Sequence, residues 1–168
     1  AAFKQTADAK GLSSNTVNAI CFDHKNKLWI ATANALNTFD GHGGFEKYIL
    51  TQASQSVNLL SVVPDIAGNI WCGTSSGLAK FDVNLKVFKS YNTSDGLFSN
   101  KFNAGSSSVS ATGMLLFGTI NGFNSLLPER IGSNIQQPSV TIVDYKINDH
   151  SVFSDTTLSK QLNSFCND

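Results

Sequence analysis

The segment Lys27-Leu28-Trp29-Ile30-Ala31-Thr32 returns 42 residues later as Asn69-Ile70-Trp71-Cys72-Gly73-Thr74, and 45 residues after that as Met114-Leu115-Leu116-Phe117-Gly118-Thr119. A period of this length commits a chain to stacked supersecondary units, because one such unit cannot bury its own apolar surface. The flanks repeat in register. Each Thr is followed by a short turn and a second run: Ala35-Leu36-Asn37-Thr38-Phe39-Asp40, then Gly77-Leu78-Ala79-Lys80-Phe81-Asp82, then Gly122-Phe123-Asn124-Ser125-Leu126-Leu127. Phe45-Glu46-Lys47-Tyr48 is matched by Phe88-Lys89-Ser90-Tyr91. Phe3-Lys4-Gln5-Thr6 stands one period before Phe45, so residue 1 is expected to fall in the last strand of an earlier unit.

Within one unit the pattern predicts four short strands, near 16–23, 28–33, 36–40 and 45–50, with turn-forming clusters at Asp23-His24-Lys25-Asn26 and Asp40-Gly41-His42-Gly43-Gly44. In the second strand Leu28, Ile30 and Thr32 face one way while Trp29 and Ala31 face the other. Both sets are largely apolar, and a strand apolar on both faces must be covered on both. Four strands per 40–45 residues with two-sided burial describe propeller blades packed face to face; a solenoid of similar period is the alternative. The expected fold is therefore all-β: a partial β-propeller of about three four-stranded blades over 1–131. Since propellers close with about four to eight blades, three leave apolar end faces that the intact protein is expected to cover, and that a second copy, or distortion, would cover in this chain alone.

At Pro128 the pattern changes. Residues 132–138 read as a linker, and Ser139-Val140-Thr141-Ile142-Val143-Asp144-Tyr145-Lys146-Ile147 alternates as a first strand of another domain. The segment 139–168 is too short for an independent fold and reads as the severed start of a β-sandwich.

Composition narrows the function. Twelve basic residues balance twelve acidic ones, charged residues make up 14% of the chain, and Arg130 is the single arginine, so direct nucleic-acid binding is not expected. No apolar run reaches the length of a membrane span. Three cysteines, Cys21, Cys72 and Cys166, form neither a zinc motif nor a disulfide framework; the first two read as buried free thiols, the third as a thiol able to cross-link copies.

Asp65 to Asp82, Asp-Ile-Ala-Gly-Asn-Ile-Trp-Cys-Gly-Thr-Ser-Ser-Gly-Leu-Ala-Lys-Phe-Asp, resembles the two-component regulator propeller repeat. Gly11-Leu12-Ser13-Ser14-Asn15 and Gly96-Leu97-Phe98-Ser99-Asn100 resemble the segment that precedes its first strand. Residues 117–131 resemble the final blade of such propellers, and 138–148 the beginning of the three-tyrosine β-sandwich that follows. The first unit departs from the pattern at Lys25-Asn26-Lys27, Ala31 and Ala35, and the third carries Leu116 in place of Trp. The resemblance implies the periplasmic sensor of a hybrid two-component protein, linked through a membrane helix elsewhere in the protein to a cytoplasmic histidine kinase. It also implies an oligosaccharide ligand and control of polysaccharide-use genes. A propeller scaffold or surface-binding module without kinase coupling is the alternative.

Trp29 and Trp71 could stack on sugar rings, but their two-sided strands favour core packing. Asn15 and Asn100 recur at one register, which favours a turn role. Residues that break the repeat are better ligand candidates: His42, Lys101 and Asn103. No catalytic set is expected, because the two glutamates, Glu46 and Glu129, lie in different units, and Asp40 and Asp82 read as turn formers. No cofactor or metal motif is present, and a homo-oligomer is expected.

Overall fold

The computed structural model describes residues 4, 10–52, 55–131, 146–147 and 150–151, and the chain divides into two compact units, Ala1–Ile131 and Gly132–Asp168. The linker expected at 132–138 and Cys166 lie outside the described residues. Of the sandwich start expected over 139–168, the described part is a pair of antiparallel two-residue strands, Lys146–Ile147 and His150–Ser151.

The first unit is built of strands β1 (Val17–Phe22), β2 (Leu28–Thr32), β3 (Leu36–Phe39), β4 (Phe45–Tyr48), β5 (Thr51–Gln52), β6 (Gln55–Ser56), β7 (Leu59–Pro64), β8 (Ile70–Thr74), β9 (Gly77–Asp82), β10 (Val87–Tyr91), β11 (Phe102–Val109), β12 (Leu115–Thr119) and β13 (Gly122–Leu126). Antiparallel meanders β1–β4 and β7–β10 form two four-stranded blades, and β11–β13 a third of three strands among the described residues. After β13, Leu127 leads into a 3₁₀ turn, Pro128–Arg130, so the described residues supply three of the four strands expected of this blade. Pro128 has a fixed φ and no N–H to give a ladder. The strands β5 and β6 form a small hairpin between the first two blades. The first strands β1, β7 and β11 lie side by side, as the inner strands of a propeller do.

Turn chemistry sets the blade frame. Asp23 Oδ1 accepts the N–H groups of Lys25 and Lys27 at 2.8 and 2.9 Å, Asp65 Oδ1 that of Asn69 at 2.8 Å, and Ser110 Oγ that of Met114 at 3.1 Å. The third residue after each acceptor needs positive φ: Gly68 has +88°, Gly113 +79°, and Asn26 +57°. Asn is among the few non-Gly residues that tolerate this region, so Asn26 serves where the repeat has Gly. Six residues after the turn acceptor, the indole N–H returns to the same carboxylate: Trp29 Nε1 donates to Asp23 Oδ2 at 2.9 Å and Trp71 Nε1 to Asp65 Oδ2 at 2.8 Å. The third blade has Ser110 and Leu116 at these two positions, so donor and acceptor were replaced together.

The second turn is held by the repeated threonine. Thr32, Thr74 and Thr119 donate through Oγ1 to the carbonyls of Ala35, Gly77 and Gly122 at 2.9, 2.7 and 3.0 Å. A further paired change explains Ala31. Glycines 73 and 118 lie under serines, where an added Cβ would come within 2.5 Å of Ser61 Oγ and 2.1 Å of Ser106 Oγ. Ala31 pairs instead with Ala19, whose methyl leaves room.

Each blade presents two apolar faces. Cys21, Trp29, Ala31, Leu36 and Tyr48 form the trailing face of the first blade, and they pack on Val62, Ile70, Cys72 and Phe81 of the leading face of the second. The ring of Phe81 sits 5.8 Å edge-on to Trp29 and 4.5 Å from Tyr48. Val63, Trp71, Leu78 and Tyr91, on the trailing face of the second blade, close on Leu115, Phe117 and Leu126 of the third. Trp29, Trp71, Phe81 and Phe117 are wholly buried, as two-sided burial required.

The carboxylate of Asp65 is buried and holds both a turn and an indole. Asp65→Ala strands the Trp71 N–H in the core and should cost about 3 kcal/mol in urea denaturation, whereas Ser110→Ala, which loses one turn contact, should cost about 1 kcal/mol or less.

Candidate functional site

Antiparallel alternation places the β1–β2 and β3–β4 turns at one end of a blade, and the β2–β3 turn with the inter-blade connections at the other. The three ligand candidates are divided between these ends. His42 occupies the β3–β4 turn of the first blade, where its N–H donates to Asp40 Oδ1 at 2.7 Å and its Nδ1 lies 3.1 Å from the Asp40 carbonyl. Gly44 N–H donates to the same carboxylate at 2.9 Å. Asp40 is thus a turn former, as expected, and so is Asp82, whose Oδ1 accepts the N–H groups of Asn84 and Leu85 at 2.9 Å each.

Lys101 and Asn103 lie together at the opposite end, at the start of β11. Register between β11 and β12 passes from Phe102↔Thr119 to Ser107↔Phe117, so three extra residues bulge from the inner strand. The first and second blades carry a one-residue shift at the same place, between Val17 and Ala19 and between Leu59 and Ser61. Bulges re-aim side chains, and this larger one turns Asn103, Ala104 and Gly105 outward. Asn103 Nδ2 donates to the Thr119 carbonyl at 3.1 Å, and Ile120 N–H to the Lys101 carbonyl at 3.4 Å, which ties the bulge to the β12–β13 turn.

Beside them stands Phe98, 68% exposed, a residue the motif reading passed over. Its backbone is fixed by buried Asn124, whose Oδ1 accepts the Phe98 N–H at 2.8 Å and whose Nδ2 donates to the Ser99 carbonyl at 3.4 Å. The first blade has the same scaffold: Asn37 Oδ1 accepts the Ser13 N–H at 3.0 Å. Phe98 therefore occupies the Ser13 position, and that break in the repeat was the available signal. Asn100 has the turn role expected of it, accepting the Thr93 N–H at 2.9 Å. Phe98, Lys101 and Asn103 thus place an exposed ring, an ammonium and an amide at one end of the third blade, groups able to stack and to hydrogen-bond.

The opposite end has a cleft of ≈ 90 Å³ between the second and third blades, walled in part by Asp65, Asn69, Lys80 and Glu129. The Asp65 carboxylate is already engaged by Trp71 and Asn69. Trp29 and Trp71 are buried and present no face to a ligand. Burial pushes the Asp23 carboxyl up, but the Trp29 indole and the Lys27 and Lys25 amides outweigh it and hold the group below the usual carboxylate range. Burial, with a smaller push from Asp23, raises the half-buried Cys21 thiol to about 12; burial and then Cys21 raise that of buried Cys72. Neither is a thiolate at neutral pH. Among the described residues no group of three His, Cys, Asp or Glu is placed to hold a metal, and no helix is long and apolar enough to cross a membrane.

Residues 11–34 match the family model described as two component regulator propeller. Histidine kinase P4 of Formosa agariphila is 34% identical over 109 residues, 64% of this chain and 8% of that protein. The chain thus spans a small part of that relative's length. The extracellular domain of a hybrid two-component system of B. thetaiotaomicron superposes with a TM-score of 0.67 at 22% identity, covering 83% of this chain and 20% of that one. A second such domain from the same organism gives 0.56 at 27% identity, covering 69% and 15%. These likenesses agree with the propeller architecture built above from turns and faces.

In solution the Asp23 carboxyl, followed by NMR, should titrate below the about 3.9 of an unstructured aspartate. Trp29→Phe should move it upward by removing a donor to the charged form. Because the folded value is the lower one, the stability it contributes is complete above the unfolded pKa and is lost as pH falls through the folded value.

Proposed function

We propose that this chain, a run of two-component regulator propeller repeats, belongs to the extracytoplasmic sensor region of a hybrid two-component system and takes an oligosaccharide at the end carrying Phe98, Lys101 and Asn103. The observation that carries the sensor reading is the repeat match at 11–34. The relation to a histidine kinase along 109 residues supports it. The sugar reading rests on the site's chemistry, in which an exposed aromatic face adjoins amide and ammonium donors on a bulged inner strand. The periplasm is the proposed compartment, and a cytoplasmic kinase elsewhere in the longer protein is the proposed receiver, controlling transcription of polysaccharide-use genes.

Signalling on this reading needs unequal affinity. A ligand moves a conformational equilibrium only as far as it binds one arrangement more tightly than the other. The site spans the connection between the second and third blades and the β12–β13 turn, so a bound sugar would bear on how those two segments sit against each other.

Calorimetry of the sensor region containing this chain, against a panel of plant and host oligosaccharides, tests the reading. Saturable binding is expected, with Phe98→Ala and Asn103→Ala each weakening it by about tenfold, the equivalent of about 1.4 kcal/mol. His42→Ala, at the other end of the first blade, should leave it unchanged. Binding insensitive to Phe98 and Asn103 would remove the site, and no binding to any glycan would remove the carbohydrate reading.

A further inference from the structure

We infer that Asn18 and Asn58 form a second sugar subsite beside Phe98, Lys101 and Asn103, taking two neighbouring hydroxyls of the next ring of the oligosaccharide; the inference rests on the carbohydrate reading of that cluster. Both residues lie at the end of the blades where the cluster stands. The carbonyls of Thr16, Asn58 and Lys101 accept the N–H groups of Ala33, Ser75 and Ile120 at 3.2, 3.1 and 3.4 Å, so Asn58 holds in the second blade the place that Lys101 holds in the third. Asn18 sits in the register shift of β1 between Val17 and Ala19, the counterpart of the bulge that carries Asn103. A bulged residue is left out of the ladder and its side chain is re-aimed. The two bulges also approach each other: a Cβ added to Gly105 would lie 3.7 Å from the Asn18 carbonyl oxygen.

The hydrogen bonds fix which way each amide is turned. Asn18 Nδ2 donates to the Leu59 carbonyl at 2.7 Å and to Asn58 Oδ1 at 2.9 Å. A carbonyl only accepts, so the Asn18 atom facing Leu59 is the nitrogen, and the Asn58 atom facing that nitrogen is the oxygen. Asn18 Oδ1 and the N–H groups of Asn58 Nδ2 are left over, and among the described residues neither has a partner. Both side chains are half-buried. Tying the first blade to the second needs only the bond to the Leu59 carbonyl, which gives no role to the Asn58 amide nitrogen. What the pair offers is a fixed acceptor beside a fixed donor. A hydroxyl both donates and accepts, so of two adjacent hydroxyls on a pyranose ring one can donate to Asn18 Oδ1 while the other accepts from Asn58 Nδ2. Amides held in place before binding lose little freedom on binding.

Calorimetry of the sensor region containing this chain, with neutral trisaccharides of xylose, glucose, mannose and galactose, tests the subsite. Asn58→Asp keeps the oxygen that accepts from Asn18 and removes the free N–H groups. It should weaken binding of the trisaccharide that the parent takes by about tenfold, with the thermal midpoint unchanged. Asn84→Asp, the same exchange in the β9–β10 turn at the other end of the second blade, should bind like the parent and so accounts for the added charge. In side-chain amide NMR spectra of the parent, that trisaccharide should shift the Asn58 Nδ2 signals and leave in place those of Asn69, which is engaged with Asp65 at the other end. Full binding by Asn58→Asp, with Phe98→Ala still weakened, would overturn the second subsite and leave the first standing. Asn58 signals that stay unmoved in the bound parent would also overturn it. No binding of any of these trisaccharides by the parent would overturn both the subsite and the carbohydrate reading beneath it.

Discussion

A sheet that is apolar on both faces cannot stand alone in water, and the remaining features of this molecule follow from meeting that condition. Burial is worth about 25 cal/mol per Å² of apolar surface, so a blade gains most of its stability from its neighbours and little from its own hydrogen bonds. The joint between the first and second blades shows the solution. Trp29 and Tyr48 from one side and Phe81 from the other meet edge-on or tilted in a shared core. An indole brings a polar N–H with it into that core, and the carboxylate that begins the adjoining turn accepts it. One aspartate thus closes a turn and permits a tryptophan to be buried.

This coupling also explains what the repeat allows to vary. The third blade gives up the indole and the carboxylate together while Ser110 keeps the turn. Ala31 faces Ala19 where other blades set Gly against Ser. Such changes look like departures from a motif when residues are read singly; in the structure they are pairs that preserve one contact.

Much of the fold was legible in the sequence. Strands expected near 16–23, 28–33, 36–40 and 45–50 are found at 17–22, 28–32, 36–39 and 45–48, because alternation and turn residues are local signals. The burial of Trp29 and Trp71 followed from the same alternation. The indole-to-carboxylate bond was not legible, since a spacing of six residues has no meaning until the hairpin folds. Of the residues in the proposed site, Lys101 and Asn103 stand out in the sequence because they break the repeat, whereas Phe98 lies inside a segment read for its motif. His42 was set apart from them by topology, as the β3–β4 turn and the start of β11 lie at opposite ends of their blades.

Hydrogen exchange at the two indole N–H groups tests the central claim most directly. If buried blade joints hold the stack together, the Trp29 and Trp71 indole protons exchange only through global opening, at the rate of the slowest β2 and β8 amides. Exchange as fast as that of the exposed turns would mean that the blades open independently, and would contradict the account.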